Sequence, residues 1–170
     1  MRIGAFFIFF DVYCLLIKCF EMDWNKDEIV ELCMEKCLSR MQDIKSAMDT
    51  AQDAIMNDTK SSMGDKYETS REMAQQEISR LQHQLSQAEL DIEKLKTLNL
   101  KPSQTVLVGS IVETSQFDYF IAISIGPLKI NDRTIMVVSK ESPIGNILMG
   151  KQTSNLINFN GKTLTINRII

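Results

Sequence analysis

Two stretches of the chain place apolar side chains at alternating steps of three and four residues. This spacing is typical of a helix that buries one stripe against a partner helix. The first stripe is Val30, Met34, Cys37, Met41, Ile44, Met48, Ala51 and Ile55, and the second is Ala74, Ile78, Leu81, Leu85, Ala88, Ile92 and Leu95. Paired head to tail from Val30 with Ile92 to Ile55 with Tyr67, the positions are symmetric about Ser61, except that Arg71 stands opposite Ala51. The pattern predicts an antiparallel coiled-coil hairpin.

The ends of both helices carry recognisable signals. Asn25 followed by Glu28 is a capping box, so the first helix is predicted over residues 27–58, about 48 Å long at 1.5 Å per residue. The tip lies near 57–66, where Asn, Asp, Ser and Gly interrupt the helical period. The second helix is predicted to end near Thr97, before a linker that contains Pro102. We interpret residues 22–101 as one projecting unit.

Residues 102–170 show the period of strands instead. Strands are predicted at 105–113, 117–125, 133–139, 155–159 and 163–169. Ser142-Pro143 is predicted to open a short helix that Gly150 ends, and Asn160-Gly161 is a strong hairpin signal. Of the neighbours Tyr119 and Phe120, one is expected to be buried and the other exposed. The predicted fold class is therefore α+β: a helical hairpin followed by a small antiparallel sheet with one helix.

Residues 1–21 form a separate apolar segment, interrupted by Asp11 and Lys18. Three interpretations stay open. The first is a spurious upstream start, with translation beginning at Met22. The second is a membrane anchor, although a charge near the middle of a span is costly. The third is a signal peptide, which would lack a small-x-small cleavage site.

The charge distribution argues against a general polyanion binder. The 170 residues carry a net charge of −3. Residues 22–101 contain 16 acidic and 11 basic side chains, a net charge of −5, and residues 102–170 contain 4 and 6, a net charge of +2. An acidic rod on a mildly basic domain suits a protein that acts in two parts.

The cysteines and the single histidine do not predict a metal site. Cys33 and Cys37 are one helical turn apart, but no second thiol pair follows them. Cys37 is interpreted as a small seam residue with Cys33 flanking it, in a reducing compartment. His83, the only histidine, lies off the seam and is expected on the surface. No serine or cysteine triad and no glycine-rich phosphate loop is present, so an independent enzyme is the least favoured class.

The segment Ser-Pro-Ile-Gly-Asn-Ile-Leu-Met-Gly-Lys, residues 142–151, together with the preceding hairpin and strands, resembles the bacterial GreA/GreB transcript cleavage factors. The resemblance covers roughly residues 22–170. It implies an FKBP-like fold for the C-terminal domain, without implying prolyl isomerase activity. It also implies that this domain docks on RNA polymerase, with partner-binding candidates Ser142, Pro143, Ile144, Gly145, Gly150 and Lys151.

In that family the hairpin enters the secondary channel of the polymerase, and two acidic residues at its tip help to hold a catalytic magnesium ion. When the family's tip tyrosine is aligned on Tyr67, the two acids fall on Lys60 and Met63, and neither is acidic. The cleavage chemistry therefore does not carry over residue by residue. The tip candidates are the carboxylates Asp58, Asp65 and Glu68 and their neighbours Lys60, Met63, Gly64, Lys66 and Tyr67.

Three functions are carried forward. The first is a cytoplasmic, monomeric factor that binds bacterial RNA polymerase and has weak or no cleavage activity. It would bind no nucleic acid sequence-specifically, no membrane, and no cofactor except a magnesium ion shared with the polymerase. The second is an active cleavage factor that uses the shifted acids, which Lys60 opposes because a fixed cation disfavours a metal. The third is a coiled-coil adaptor that acts through protein–protein contacts.

Overall fold

The computed structural model describes residues 23–58 and 64–170. The elements in chain order are α1 Lys26–Asp58, α2 Gly64–Lys96, β1 Ile111–Thr114, β2 Asp118–Ala122, β3 Gly126–Ile130, β4 Arg133–Ser139, α3 Pro143–Leu148, β5 Leu156–Phe159 and β6 Lys162–Ile169. Two long helices therefore precede a sheet of six strands and one short helix. The predicted α+β class is confirmed.

The helices α1 and α2 pack along each other, and both contain 33 residues. Their ends are symmetric about position 61, as the apolar stripes predicted. Every residue of both predicted stripes is buried or half-buried. At the start of α1, Oδ1 of Asn25 accepts hydrogen bonds from the backbone N–H groups of Asp27 and Glu28, at 3.0 and 3.5 Å. This is the predicted N-terminal cap, and His83 is exposed as expected.

The end of the hairpin near the sheet has a second buried face. Ile29 and Cys33 are completely buried there, in one cluster with Leu95 and with Ile111 and Phe120 of the sheet. The sequence pattern placed Cys33 beside the seam but did not predict its complete burial. The reason is that α1 packs on two partners at this end, α2 on one side and the sheet on the other, so two stripes are covered instead of one.

Burial makes the two cysteines of α1 unreactive. It raises the pKa of the Cys33 thiol from 9.0 to about 12, with a smaller contribution from Cys37, and it also raises the pKa of Cys37. At pH 8 the thiolate fraction of Cys33 is then about a thousandfold smaller than for a thiol with the ordinary value. We expect iodoacetamide to modify both residues only when the protein unfolds, as measured by peptide mapping with and without urea. Rapid labelling of Cys33 in the folded protein would contradict its burial.

The sheet has the strand order β3-β4-β2-β1-β6-β5. Its pairs are antiparallel except for β2 and β4, which run parallel, with Phe120 opposite Val137. The prediction of an antiparallel sheet was therefore wrong in this pair. The cause is β3, which the sequence analysis did not predict. It forms a hairpin with β4 and occupies the outer position, so that β4 lies between β3 and β2.

Several predicted strand boundaries were too wide. In the predicted strand 105–113, only Ile111 onward is a strand, and Thr105 instead forms an isolated bridge with Gln152. The break comes at Gly109, whose φ of +93° and close approach to the Asn99 carbonyl admit only glycine. The hairpin at Asn160-Gly161 is confirmed, because β5 and β6 are antiparallel and both turn residues have positive φ.

The sheet has a hydrophobic cluster on each face. Phe120 belongs to the cluster beneath the hairpin, and Tyr119 belongs to a second cluster with Ile144 and Leu148 of α3. Both aromatic side chains are buried, so the expectation that one of them is exposed was wrong. Successive residues of a strand do point to opposite faces, but here both faces are covered. Burial also raises the pKa of the Tyr119 hydroxyl.

Within the described ranges, no helix is both long enough and apolar enough to cross a membrane. The three interpretations of residues 1–21 concern a segment outside those ranges.

Candidate functional site

The hairpin is attached to the sheet by a polar cluster that the sequence analysis did not find. Nε1 of Trp24 donates a hydrogen bond to Asp118 Oδ2 at 3.0 Å, and Nη2 of Arg133 donates to the same oxygen at 3.0 Å. The Arg133 guanidinium lies over the Trp24 ring, 4.1 Å from the centroid. Arg133 and Arg168 both lie 3.8 Å from carboxylate oxygens of Glu113.

Two further contacts secure the start of α1. Arg168 of β6 pairs with Asp23, and Nζ of Lys26 donates to the carbonyl of Leu100 at 3.0 Å. The hydrogen bond between the Trp24 indole and Asp118 joins residues that are 94 positions apart in the sequence. The only signal in the sequence was the single tryptophan next to a helix start, and nothing in the spacing indicated its partner. The cluster holds the base of the hairpin on strands β1, β2, β4 and β6.

The segment 142–151 forms the short helix α3 and its exit turn. Ser142 is the N-cap: its Oγ accepts from the Gly145 N–H at 3.0 Å and donates to the Ser139 carbonyl at 2.7 Å. Pro143 occupies the first helical turn, where its missing N–H costs nothing. The predicted cap and helix are thus confirmed, and they join the end of β4 directly to α3.

Gly145 fits a position that a side chain cannot occupy. A Cβ atom placed there would lie 2.0 Å from the Ser139 carbonyl oxygen and 2.8 Å from Ser142 Oγ. The close approach lets α3 pack its residues Ile144 and Leu148 against the second hydrophobic cluster. Gly145 and Ile144 therefore act inside the domain, where they set the position of the helix.

The residues at the two ends of α3 are accessible to solvent, unlike Ile144 and Gly145. Gly150 has a φ of +73° and donates to the Val106 carbonyl at 2.9 Å, while the Lys151 carbonyl accepts from the Val106 N–H at 2.9 Å. Pro143, Gly150 and Lys151 are exposed, and Ser142 is half-buried. Of the six predicted partner-binding residues, these four can therefore reach a partner. The surface formed by them is called the α3 surface below.

The tip candidates with a described backbone lie at the end of the hairpin far from the sheet. Asp58 ends α1, and Gly64, Asp65, Lys66, Tyr67 and Glu68 occupy the first turns of α2 as backbone positions. Lys60 and Met63 lie outside the described residues, as do the side chains of the other tip candidates. The prediction of a shared magnesium ion stays a prediction. Among the side chains that the structure does describe, no group of three or more His, Cys, Asp or Glu residues is placed to hold a metal ion.

Two open clefts flank the base of the hairpin. One, of about 350 Å³, has Lys94, Lys140 and Glu141 among its lining residues. A hydrogen bond from its own backbone is the main factor that lowers the pKa of Glu141 there, and Lys140 and Lys94 lower it further. The second cleft, of about 320 Å³, lies between α1, α2 and the loop after β2. Both clefts are open and are lined by side chains of both charges.

Comparison with known proteins adds a likeness in structure. No family's sequence profile matches the chain, and no curated protein sequence matches it. The crystal structure of GreA factor homolog 1 (Gfh1) of Thermus thermophilus aligns with 81% of this chain and 94% of its own, with 18% identity and a TM-score of 0.34. A second structure of the transcription factor Gfh1 aligns with 80% of this chain and 92% of its own, with 18% identity and a TM-score of 0.32.

The chain is similar in structure to a Gre-like transcription factor. At 18% identity, this similarity does not assign functional residues to this chain. The residues that matter for function therefore have to come from the geometry of this chain, namely the hairpin, its polar attachment to the sheet and the α3 surface.

Proposed function

We propose that this protein is a cytoplasmic factor of bacteria that binds RNA polymerase, docks through its sheet domain and inserts the helical hairpin into the secondary channel. The observation that carries the proposal is the shape of the hairpin: two 33-residue helices rooted at one end in a sheet domain. The GreA/GreB resemblance of residues 142–151 supplies the class of partner.

The hairpin is long and is attached to the sheet domain at one end. A helix of 33 residues is about 50 Å long, because each residue rises 1.5 Å. Its buried seam includes Ile44, Ile78 and Leu81, far from the sheet in sequence, and the Trp24–Asp118–Arg133 contacts hold its base. A long pair of helices fixed at one end can place its turn deep in a channel that the sheet domain cannot enter.

The sheet domain supplies the docking surface. The α3 surface displays Pro143, Gly150 and Lys151 on a rigid support, since the helix beneath it is capped and its apolar side is buried. Rigid, exposed residues bind a partner with little loss of conformational entropy. The proposed factor is a monomer in which docking and insertion are carried out by different parts of the chain.

We propose weak or no transcript cleavage and no enzyme activity of its own. The family's two acidic tip positions correspond to Lys60 and Met63. A lysine near the shifted carboxylates disfavours a bound cation, because like charges repel. Any magnesium ion at the tip would be one that the polymerase already holds. The factor would act by occupying the channel, and so would change pausing, initiation or access of small molecules.

The test uses purified bacterial RNA polymerase, the full chain and two variants. In the tip variant, Asp65, Lys66 and Tyr67 are all replaced by alanine, and in the docking variant Pro143→Ala is combined with Lys151→Glu. We expect the docking variant to lose about tenfold or more in affinity, as for a group of central contact residues. We expect the tip variant to bind normally and to lose its effect on transcription.

Backtracked polymerase complexes separate the proposed factor from an active cleavage factor. We expect no short 3′ RNA above the intrinsic rate. Release of such RNA would show that the protein is an active cleavage factor that uses the shifted acids. Absence of binding at micromolar protein would rule out the polymerase as partner.

A second candidate function, an adaptor that binds through the hairpin, has its own observation. Among the described side chains of the hairpin, four large apolar ones are 51–66% exposed: Leu38, Met56, Met73 and Leu90. Such side chains could contact another coiled coil. Light scattering after size-exclusion chromatography decides between the two: a stable dimer would favour the adaptor, and a monomer favours the polymerase-binding factor.

A further inference from the structure

The two edges of the sheet differ in how they are protected. The outer strand at one edge, β3, contains Pro127 and the exposed Lys129. Proline removes a backbone donor and lysine repels neighbouring strands, so such residues prevent another chain from pairing there. The strand at the opposite edge, β5, reads Leu-Ile-Asn-Phe and contains neither a proline nor a charge. Within the two edge strands themselves, only β3 contains these protecting residues.

The outer side of β5 presents backbone groups for pairing. The closing pair of the two-residue turn is Phe159 and Lys162, and Ile157 lies opposite Leu164. In an antiparallel ladder the bonded positions alternate, so 157 and 159 bond to β6, while Leu156 and Asn158 direct their backbone groups outward. The side chain of Leu156 is 68% exposed, which places an apolar contact beside these groups.

The charged residues near β5 indicate which kind of peptide would pair with it. Residues 142–170 contain no aspartate or glutamate, and Lys151 and Lys162 stand before and after β5. Of the carboxylates in the sheet, Glu113 and Asp118 lie beside arginines on the inner strands. Asp132 lies in the turn between β3 and β4, at the other edge. The chain on both sides of β5 thus carries lysines and no carboxylate, and Lys162 is paired with Phe159 at the end of the strand, which favours an acidic occupant.

We propose that the β5 edge binds an extended acidic segment of a partner protein, which adds to the sheet as a seventh strand. Backbone hydrogen bonds to Leu156 and Asn158 would supply affinity, Leu156 an apolar contact, and Lys151 and Lys162 the preference for acidic side chains. The site shares Lys151 with the α3 surface, but it is argued from the sheet and its charges, and its tests change Asn158 and Lys162, which the polymerase proposal does not use.

The probe is a synthetic eight-residue peptide of alternating valine and glutamate with blocked ends, added to the full-length, ¹⁵N-labelled protein. We expect the amide signals of Leu156 and Asn158 to shift and to become protected from hydrogen exchange. The binding should weaken as salt is added. A peptide of alternating valine and lysine is the matched control and should not bind.

Two substitutions at one position isolate the backbone contact. Asn158→Pro removes the outward N–H without removing a bond to β6, while Asn158→Ala keeps it. Both lose the hydrogen bond that Thr163 Oγ1 donates to Asn158 Oδ1 at 2.8 Å. We expect the proline variant to bind the acidic peptide about tenfold or more weakly, as expected for lost strand addition, and the alanine variant to bind it within about twofold.

The charge contribution is tested by Lys162→Gln, with Lys129→Gln at the opposite edge as its control. We expect only the first to weaken peptide binding. Equal binding by the Asn158→Pro and Asn158→Ala variants, with both folded by circular dichroism, would overturn the proposal. So would self-association of the protein through β5, or amide shifts at β5 caused by single-stranded RNA while the acidic peptide has no effect.

Discussion

We expect Gly145→Ala to lower the free energy of unfolding by about 3 kcal/mol, the range of overpacking against fixed backbone. The new methyl group would lie 2.0 Å from the Ser139 carbonyl oxygen, so either α3 or the end of β4 must move. That movement also weakens the cap, because the Gly145 N–H donates to Ser142 Oγ. Urea denaturation, followed by the fluorescence of the single tryptophan, Trp24, measures the change.

Two matched variants show that the effect comes from the contact. Gly150→Ala changes a glycine with positive φ and no atom within 4 Å of the added carbon, so it should cost only about 1 kcal/mol. Asn146→Ala alters an exposed residue of the same helix and should stay within about 0.5 kcal/mol. If Gly145→Ala were as stable as the unmodified protein, the close packing of α3 on β4 would be wrong, and with it the rigid support of the α3 surface.

We expect Phe120→Ala to cost about 4 kcal/mol, as for large-to-small changes in a packed core. Phe120 is fully buried in the cluster that joins the hairpin to the sheet, together with Ile29, Cys33 and Leu95. Its loss leaves a cavity under the base of the hairpin. The variant should therefore also expose Cys33, which would then react with iodoacetamide in the absence of urea.

The chain offers a control of the same residue type three positions away. Phe117 is 54% exposed in the turn between β1 and β2, so Phe117→Ala should change stability by no more than about 0.5 kcal/mol. The comparison separates loss of core packing from loss of an aromatic ring as such. Similar costs for both substitutions would show that the hairpin base does not pack on Phe120 as described.

The features that were predictable from sequence are those decided within a few residues of chain. The hairpin follows from an apolar period that repeats over about seven turns of the first helix and about six of the second, and its symmetry about position 61 follows from the same list. The caps at Asn25 and Ser142 are bonds to residues two or three positions along the chain. The turn at Asn160-Gly161 needs positive φ, which few residues adopt readily.

The candidate site was predictable only in part. The segment 142–151 was identified by its resemblance, but which of its residues face solvent depended on how α3 packs on the second cluster. The tip candidates were placed at the end of the hairpin, whereas their side chains lie outside the described residues. The polar attachment at Trp24, Asp118 and Arg133 was missed, because its contacts join three separate parts of the chain.

By itself, the sequence determined the two helices of the hairpin, the short capped helix and the final β-hairpin, because local spacing and local hydrogen bonds decide them. Only the tertiary structure decided the parallel pairing of β2 with β4, the burial of both Tyr119 and Phe120, and the burial of Cys33. Each of these depends on what covers a face from elsewhere in the chain. Periodicity shows which side chains share a face, and the assembled fold shows whether that face meets water or protein.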